Sequence, residues 1–127
     1  MKRFIPVLLS TIFLTGCVGA PSGENSYRQI SMDEAVEFME EKSGYIILDV
    51  RRPDEFAAGH IPNAINVPLE TIGNSEIPEL PNKDQLILVY CRSGRRSKEA
   101  AEKLVALGYT NIVEFGGILD WKGEIVQ

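Results

Sequence analysis

The sequence predicts an α/β fold, a mostly parallel central sheet of about five strands with helices on both faces. Three observations carry that expectation. Tyr45–Val50 (YIILDV) and Leu86–Tyr90 (LILVY) are near-continuous apolar runs, as in strands buried on both faces of a parallel sheet. Stretches with apolar residues at helical spacing lie between and around them, so that strands and helices alternate along the chain. Alternation of this kind implies right-handed crossover connections, which lay successive strands parallel.

Taken in order, Tyr27–Ile30 reads as a short first strand. Ser31 then opens a helix, with Glu34 three residues on as a capping box, and Ala35, Val36, Phe38 and Met39 give it an apolar stripe. Ser43 and Gly44 stop that helix over residues 31–42, and Tyr45–Val50 forms the second strand. Pro53 at a first helical position, followed by Asp54 and Glu55, begins a short helix that runs to Ala58 and closes at Gly59. Ala64–Val67 is a third short strand, and the Pro-containing stretch from Pro68 to Pro81 holds one or two short helical turns. Leu86–Tyr90 is the clearest strand. Ser97–Leu107 is a helix with Ala100, Ala101, Leu104, Val105 and Leu107 inward; Gly108 ends it, and Ile112–Phe115 is the last strand.

Ahead of this domain lies a different kind of segment. Lys2 and Arg3 precede an apolar run from Phe4 to Leu14, and Leu14-Thr15-Gly16-Cys17 follows. This is the layout of a signal peptide, about 11 apolar residues long and therefore well short of a membrane-spanning helix. The four residues ending in Cys17 resemble the lipobox of bacterial lipoproteins, in which the cysteine is acylated and becomes the new N-terminus. The expected organisation is a signal peptide over residues 1–16, a lipidated tether over 17–26 and a domain over 27–127. The tether (VGAPSGENS after Cys17) is small, polar and rich in Gly and Pro, and fully extended it reaches at most about 30 Å. The resemblance implies a protein of the bacterial cell envelope, lipid-anchored and facing the periplasm or the exterior.

The chain has 127 residues with 13 Lys+Arg against 18 Asp+Glu, a net charge of −5. Removing residues 1–16 takes away Lys2 and Arg3 and no acid, which leaves 11 basic residues against 18 acidic, net −7. So acidic a body excludes nucleic-acid binding by general phosphate neutralisation. Mean hydropathy of −0.05 excludes a multispanning membrane protein. Yet Arg51, Arg52, Arg92, Arg95, Arg96 and Lys98 fall in two short segments, and a local positive spot on a negative body suits a small anionic ligand.

Open parallel sheets bind ligands beyond the carboxyl ends of their strands. After YIILDV come Arg51 and Arg52, with Asp49 at the strand end; after LILVY come Cys91, Arg92, Ser93, Gly94, Arg95 and Arg96. A cysteine between a buried strand and a helix N-terminus, close to three arginines, has the surroundings that favour a thiolate. Gly94 lets successive loop N–H groups turn inwards as an anion nest.

On these residues the sequence resembles the rhodanese (sulfurtransferase) family through essentially the whole domain. The matching stretches are Asp49-Val50-Arg51 with Glu55-Phe56, then GHIPNAINVP from Gly59 to Pro68, the CRSGRRS loop from Cys91, Leu107-Gly108-Tyr109, and Gly116-Gly117 with Trp121. Asn63 departs from the family's usual glycine, but Asn tolerates left-handed backbone angles. The same fold hosts phosphatases of the dual-specificity type, whose loop is Cys-x5-Arg. Here Arg96 lies at Cys-x4-Arg and Ser97 occupies the phosphatase position, which favours a smaller cradle fitted to the outer sulfur of a persulfide.

The resemblance implies a sulfurtransferase that moves sulfane sulfur from thiosulfate or a similar donor to cyanide or a thiol through a persulfide on Cys91. Arg92 and Arg96 would bind the anionic donor, and Ser93, Gly94 and Arg95 would contribute backbone donors. Asp49 and Arg51 would support the loop, Asp49 by orienting it or pairing with an arginine, Arg51 by pairing with a carboxylate or lining the pocket. His60 is read as a turn residue and Trp121 as packing. With Cys17 lipidated, Cys91 is the only thiol left, so the acceptor must come from outside. One His and one free Cys leave no tetrahedral metal site, and neither a cofactor nor a metal is expected. A monomer is expected. The alternatives are a persulfide carrier or sensing module with little thiosulfate turnover, and then a phosphatase or arsenate reductase on the same fold.

Overall fold

A computed structural model describes residues 26–127. The expected signal peptide over 1–16, lipidation at Cys17 and all of the tether but Ser26 lie outside the described residues. Five strands form one sheet in the order β1-β5-β4-β2-β3, and every pairing is parallel. They are β1 (Arg28–Gln29), β2 (Tyr45–Asp49), β3 (Ile65–Asn66), β4 (Leu86–Cys91) and β5 (Ile112–Gly117). The helices are α1 (Met32–Glu41), α2 (Pro53–Ala58) and α3 (Arg95–Ala106), with short 3-10 turns at Leu69–Thr71 and Ile118–Asp120.

Local chemistry explains most of these boundaries. Ser31 caps α1 as expected: its Oγ accepts from the Glu34 N–H at 3.1 Å while the Glu34 carboxylate accepts from the Ser31 N–H at 2.8 Å. Pro53 starts α2, and Gly59 follows its last turn. The stretch from Pro68 to Pro81 holds one 3-10 turn, Leu69–Thr71, and a tight turn in which the Leu80 N–H donates to the Ile77 carbonyl at 2.9 Å. Asn63 has φ +72°, the left-handed conformation that its side chain tolerates.

Several boundaries differ from the sequence expectation: β1, β2 and β3 are shorter than expected, β5 runs two residues further, to Gly117, and two more differences lie at the cysteine loop. β4 extends one residue further, to Cys91, and α3 begins at Arg95 instead of Ser97. Gly94, with φ +111°, is the N-cap, so the chain turns sharply enough to start the helix within three residues of the strand end. Arg95, Arg96 and Ser97 therefore form the first turn of the helix, not a loop ahead of it.

The sheet separates two apolar clusters. Leu48, Val50, Ile87, Val89 and Cys91 pack with Ala100, Ala101 and Leu104 of α3. Ile47, Leu88, Tyr90, Val113 and Phe115 pack on the other side with Ala35 of α1, and with Phe38, Phe56 and Trp121 partly buried there. The alternation along β4, Ile87, Val89 and Cys91 to one side and Leu88 and Tyr90 to the other, is the period of two of a strand covered on both faces. Among the described residues no helix is long and apolar enough to cross a membrane.

Candidate active site at the carboxyl end of the sheet

β4 lies at the centre of the strand order, and Cys91 is its last residue. This puts the thiol at the carboxyl edge of the sheet, beneath the N-terminus of α3. Cys91 is 1% exposed. Its Sγ accepts the backbone N–H of Gly94 at 3.0 Å, so one inward-turned donor of the expected nest is in place. The Ser97 hydroxyl is 3.5 Å from Sγ on the buried side.

The loop rests on the end of β5. The Arg92 carbonyl accepts from the Leu119 N–H at 3.1 Å. A Cβ on Gly117 would collide with the carbonyl of Arg92 and the amide of Ser93, so only glycine lets the two backbones pass. The Gly116-Gly117 pair thus serves the cysteine loop directly.

Beside the loop that follows Cys91 opens a cleft of about 690 Å³ bordered by Arg52, Glu55, Glu70, Arg92, Arg95 and Arg96, with Leu69 and Ser93 completing it. Of the expected loop residues, Arg92, Ser93, Arg95 and Arg96 line this cleft and Gly94 donates to the sulfur, whereas Cys91 itself is buried and does not line it. Their charges are not equivalent. Arg96 is held by Glu55 in a two-pronged pair, Nη1 to Oε1 at 2.7 Å and Nη2 to Oε2 at 3.1 Å. Those hydrogen bonds hold the Glu55 carboxyl down at about 2, against burial, which pushes the other way. Arg52 pairs with Asp54 at 3.0 Å. Arg92 and Arg95 are exposed and form no ion pair among the described residues.

Asp49 and Arg51 do not border the cleft. They form a buried pair at 2.7 Å, and Arg51 also donates to the Gly59 carbonyl at 2.7 Å. Asp49 Oδ1 accepts from the Arg51 N–H as well, at 2.9 Å. Both residues support the end of β2, and of the two roles open to Arg51 the structure shows pairing. Burial, and then Asp49, raises the neighbouring Tyr90 hydroxyl well above its ordinary range. His60 stacks on Phe56 with ring centres 3.7 Å apart, and its Nδ1 lies 2.9 Å from the Phe56 carbonyl, a turn role. The Trp121 indole N–H donates to the Glu124 carbonyl at 3.0 Å.

Sequence reasoning missed the Glu55–Arg96 link and the group behind Ser97. Glu114 is 2% exposed, and its Oε2 is 2.5 Å from Ser97 Oγ. The Glu55 pair spans forty-one positions with no local signal. Glu114 did carry a signal, an acid in the middle of the apolar strand IVEFGG. Among the described residues no group of His, Cys, Asp and Glu could hold a metal ion.

Comparison with known proteins agrees with the fold. Residues 31–124 match the family model described as "Rhodanese-like domain". The "Thiosulfate sulfurtransferase PspE" of Escherichia coli (strain K12) is 37% identical over 73 residues, which covers 58% of this chain and 70% of that protein. The "Adenylyltransferase and sulfurtransferase uba4" of Ogataea parapolymorpha is 32% identical over 106 residues, 81% of this chain, but the chain spans only 27% of that relative's length. The solved structure "rhodanese with anions from E. coli" superposes with a TM-score of 0.60 at 34% identity, covering 65% of this chain and 98% of that one.

Proposed function

The chain belongs to the rhodanese-like domain family, and from that premise we propose that it is a sulfurtransferase working through a persulfide on Cys91. The observation that carries the proposal is the buried Cys91 Sγ, which accepts the Gly94 N–H at the carboxyl end of a parallel sheet, in a loop whose Arg92, Arg95 and Arg96 line the neighbouring cleft. A thiol so placed suits a dianionic donor whose charged end stays at the cleft while one sulfur atom reaches inward.

Thiosulfate, or a donor like it, docks its anionic end against Arg92 and Arg95, with Arg96 held alongside by Glu55. The Cys91 thiolate attacks the outer sulfur; the S–S bond of the donor breaks and its electron pair leaves with sulfite. The new persulfide lies under the loop, where N–H donors such as that of Gly94 stabilise negative sulfur. Cyanide or an external thiol then attacks the outer sulfur and restores the Cys91 thiolate. The E. coli relative named a thiosulfate sulfurtransferase supports this choice of donor, and the E. coli structure titled as holding anions supports an anion at the cleft.

The proposal extends to the N-terminus: acylation of Cys17 tethers a monomeric domain to a bacterial envelope membrane on its outer side. Cys17→Ala should then release the protein from the membrane fraction, and retention would overturn the anchor.

The enzymatic reading is tested by incubating the purified protein with thiosulfate and measuring intact mass, followed by a thiocyanate assay with cyanide. The expected result is one added sulfur atom and catalytic thiocyanate release, both abolished by Cys91→Ser. An unmodified wild-type protein overturns the reading, and a persulfide that releases no thiocyanate makes the protein a carrier instead.

A further inference from the structure

Glu114 is a carboxylate that the mechanism above does not use. It lies in the interior of β5, 2% exposed, and no lysine or arginine pairs with it among the described residues. Burying such a group without a cation is costly, and an apolar side chain would fill the position without that penalty. Hydrogen bonds make the burial tolerable: Gln29 Nε2 donates to Oε1 at 3.1 Å, the Gly116 N–H donates to Oε2 at 2.9 Å, and Ser97 Oγ lies 2.5 Å from Oε2.

The third of these leads to the reacting atom. Ser97, itself buried, sits between Glu114 and Cys91, 2.5 Å from one and 3.5 Å from the other. A hydroxyl has one proton to give, and of the acceptors within its reach, Glu114 Oε2 at 2.5 Å, the Gly94 carbonyl at 3.0 Å and the Gly116 carbonyl at 3.3 Å, the carboxylate oxygen is the nearest, so Ser97 donates to Glu114. Its lone pairs are then left for the S–H of Cys91. The three groups form a directed chain from thiol to hydroxyl to carboxylate, and the Gly94 N–H donates to the same sulfur at 3.0 Å.

The geometry points to Glu114 as the acceptor, by way of Ser97, of the proton that Cys91 must lose before it attacks a sulfur donor. The inference rests on the sulfurtransferase reading. In the step, the Cys91 S–H bond breaks and its proton bonds to Ser97 Oγ, while the proton Ser97 held passes to Glu114 Oε2. No electrons are exchanged with any other group; one negative charge moves from carboxylate to sulfur. The neutral Glu114 then donates back to Ser97 Oγ, and the Ser97 hydroxyl turns to the thiolate. The charge leaves a position with no cation and arrives beside the Gly94 N–H, in the loop whose arginines line the neighbouring cleft. Glu114 acts through Ser97 and is a positioning and proton-holding residue.

The groups that face Glu114 leave this step unopposed near neutrality. Gln29 from β1 is neutral, and the Tyr27 hydroxyl, raised first by burial and then by Glu102 and Glu114, stays protonated. Ser97 of α3 and Cys91 of β4 are the other partners of the chain.

The test follows alkylation of the Cys91 peptide by iodoacetamide from about pH 5.5 to about pH 10, in the full chain, for wild type, Glu114→Gln, Ser97→Ala and the double variant. Glu114→Gln keeps the shape and most hydrogen bonds but cannot take the proton. Each single variant is expected to react at least about tenfold more slowly near neutral pH, and to approach wild type at high pH, where hydroxide ionises the thiol directly. The double variant is expected to be no slower than the slower single one, because both break the same chain. A wild-type profile, or an equal loss at every pH, overturns the inference; the second outcome is what a packing role would produce. If Glu114→Gln does not fold, Ser97→Ala alone decides by the same criterion. Thiosulfate loading measured in parallel separates the two readings. A wild type that takes up no sulfur, yet shows the pH-dependent difference, refutes the sulfurtransferase and leaves the proton path standing.

Discussion

β2 and β4, neighbours in the sheet, end at the same edge in opposite ways. β2 ends on Asp49, and the arginine two residues later turns straight back onto it; both are buried, and Arg51 Cζ also lies 5.8 Å from the centre of the Tyr90 ring. β4 ends on Cys91, whose Sγ is met by the Gly94 N–H and not by an arginine, and Arg92 and Arg95 line the cleft instead. The same residue type after a strand end is therefore structural in one case and open to a ligand in the other. The difference lies in what ends the strand: a carboxylate captures its arginine, whereas a thiol met by a backbone N–H leaves Arg92 and Arg95 exposed, with only Arg96 held, by Glu55 of α2.

Removing the carboxylate is the strongest way to test that contrast. Asp49→Ala leaves the Arg51 guanidinium buried without a counter-charge, and such a deletion costs about 3–5 kcal/mol. Urea denaturation should show this as a large fall in midpoint. Replacing both partners, Asp49→Leu with Arg51→Met, should recover a good part of the loss, because two apolar groups leave no orphan charge. A single variant that loses less than about 1 kcal/mol would contradict the structural role given to the pair.

On the β4 side the opposite pattern is expected. Arg92→Ala combined with Arg95→Ala should leave stability within about 0.5 kcal/mol of wild type, since neither guanidinium has an ion-pair partner among the described residues. For thiosulfate, kcat/KM should fall about tenfold at low ionic strength, and the deficit should shrink towards about 0.5 M salt as screening removes the attraction in wild type too. Steady-state assays over a salt series decide it. A salt-independent deficit would mean that the side chains make direct contacts beyond their charge.

How much of this is legible in the sequence depends on how local the cause is. The capping box at Ser31, the Pro53 start of α2 and the two apolar strands rest on residues within a few positions of one another, and all are seen. Cys91 is legible because its strand, its loop glycine and the following helix are contiguous. α3 starts two residues before the expected position, since three basic residues look like a loop until the left-handed Gly94 turns the chain into a helix. The pairing of Arg96 is invisible in the sequence, because Glu55 reaches it from α2, far away along the chain. Glu114 stands out as a charge within an apolar run, but its partner Ser97 comes from another element, and only the crossover of α3 over the sheet brings them together.

Glu55 joins the two sides of the comparison, and it carries the smallest of the expected effects. Its Oε1 accepts from the Arg52 N–H at 3.0 Å and from Arg96 at 2.7 Å, so one carboxylate ties the start of α2 to the first turn of α3. The Glu55 and Arg96 side chains are 16% and 20% exposed, so this pair is closer to solvent than Asp49–Arg51 and worth less, about 1 kcal/mol. Its signature is the pH dependence. The folded-state carboxyl is lowered to about 2, chiefly by the hydrogen bonds from Arg96, against an ordinary value of 4.5. A lowered carboxyl contributes stability that is complete above the unfolded value and is lost as pH falls through the folded one. Glu55→Gln lacks that contribution at every pH. The stability gap between wild type and Glu55→Gln should therefore be constant from neutrality down to about pH 5 and close as pH falls from about 4.5 to about 2. Urea titrations across that range measure it. A gap that persists at the acid end would assign the loss to packing around the substituted side chain, and would remove the electrostatic distinction between an arginine held at the cleft wall and those left open to an anion.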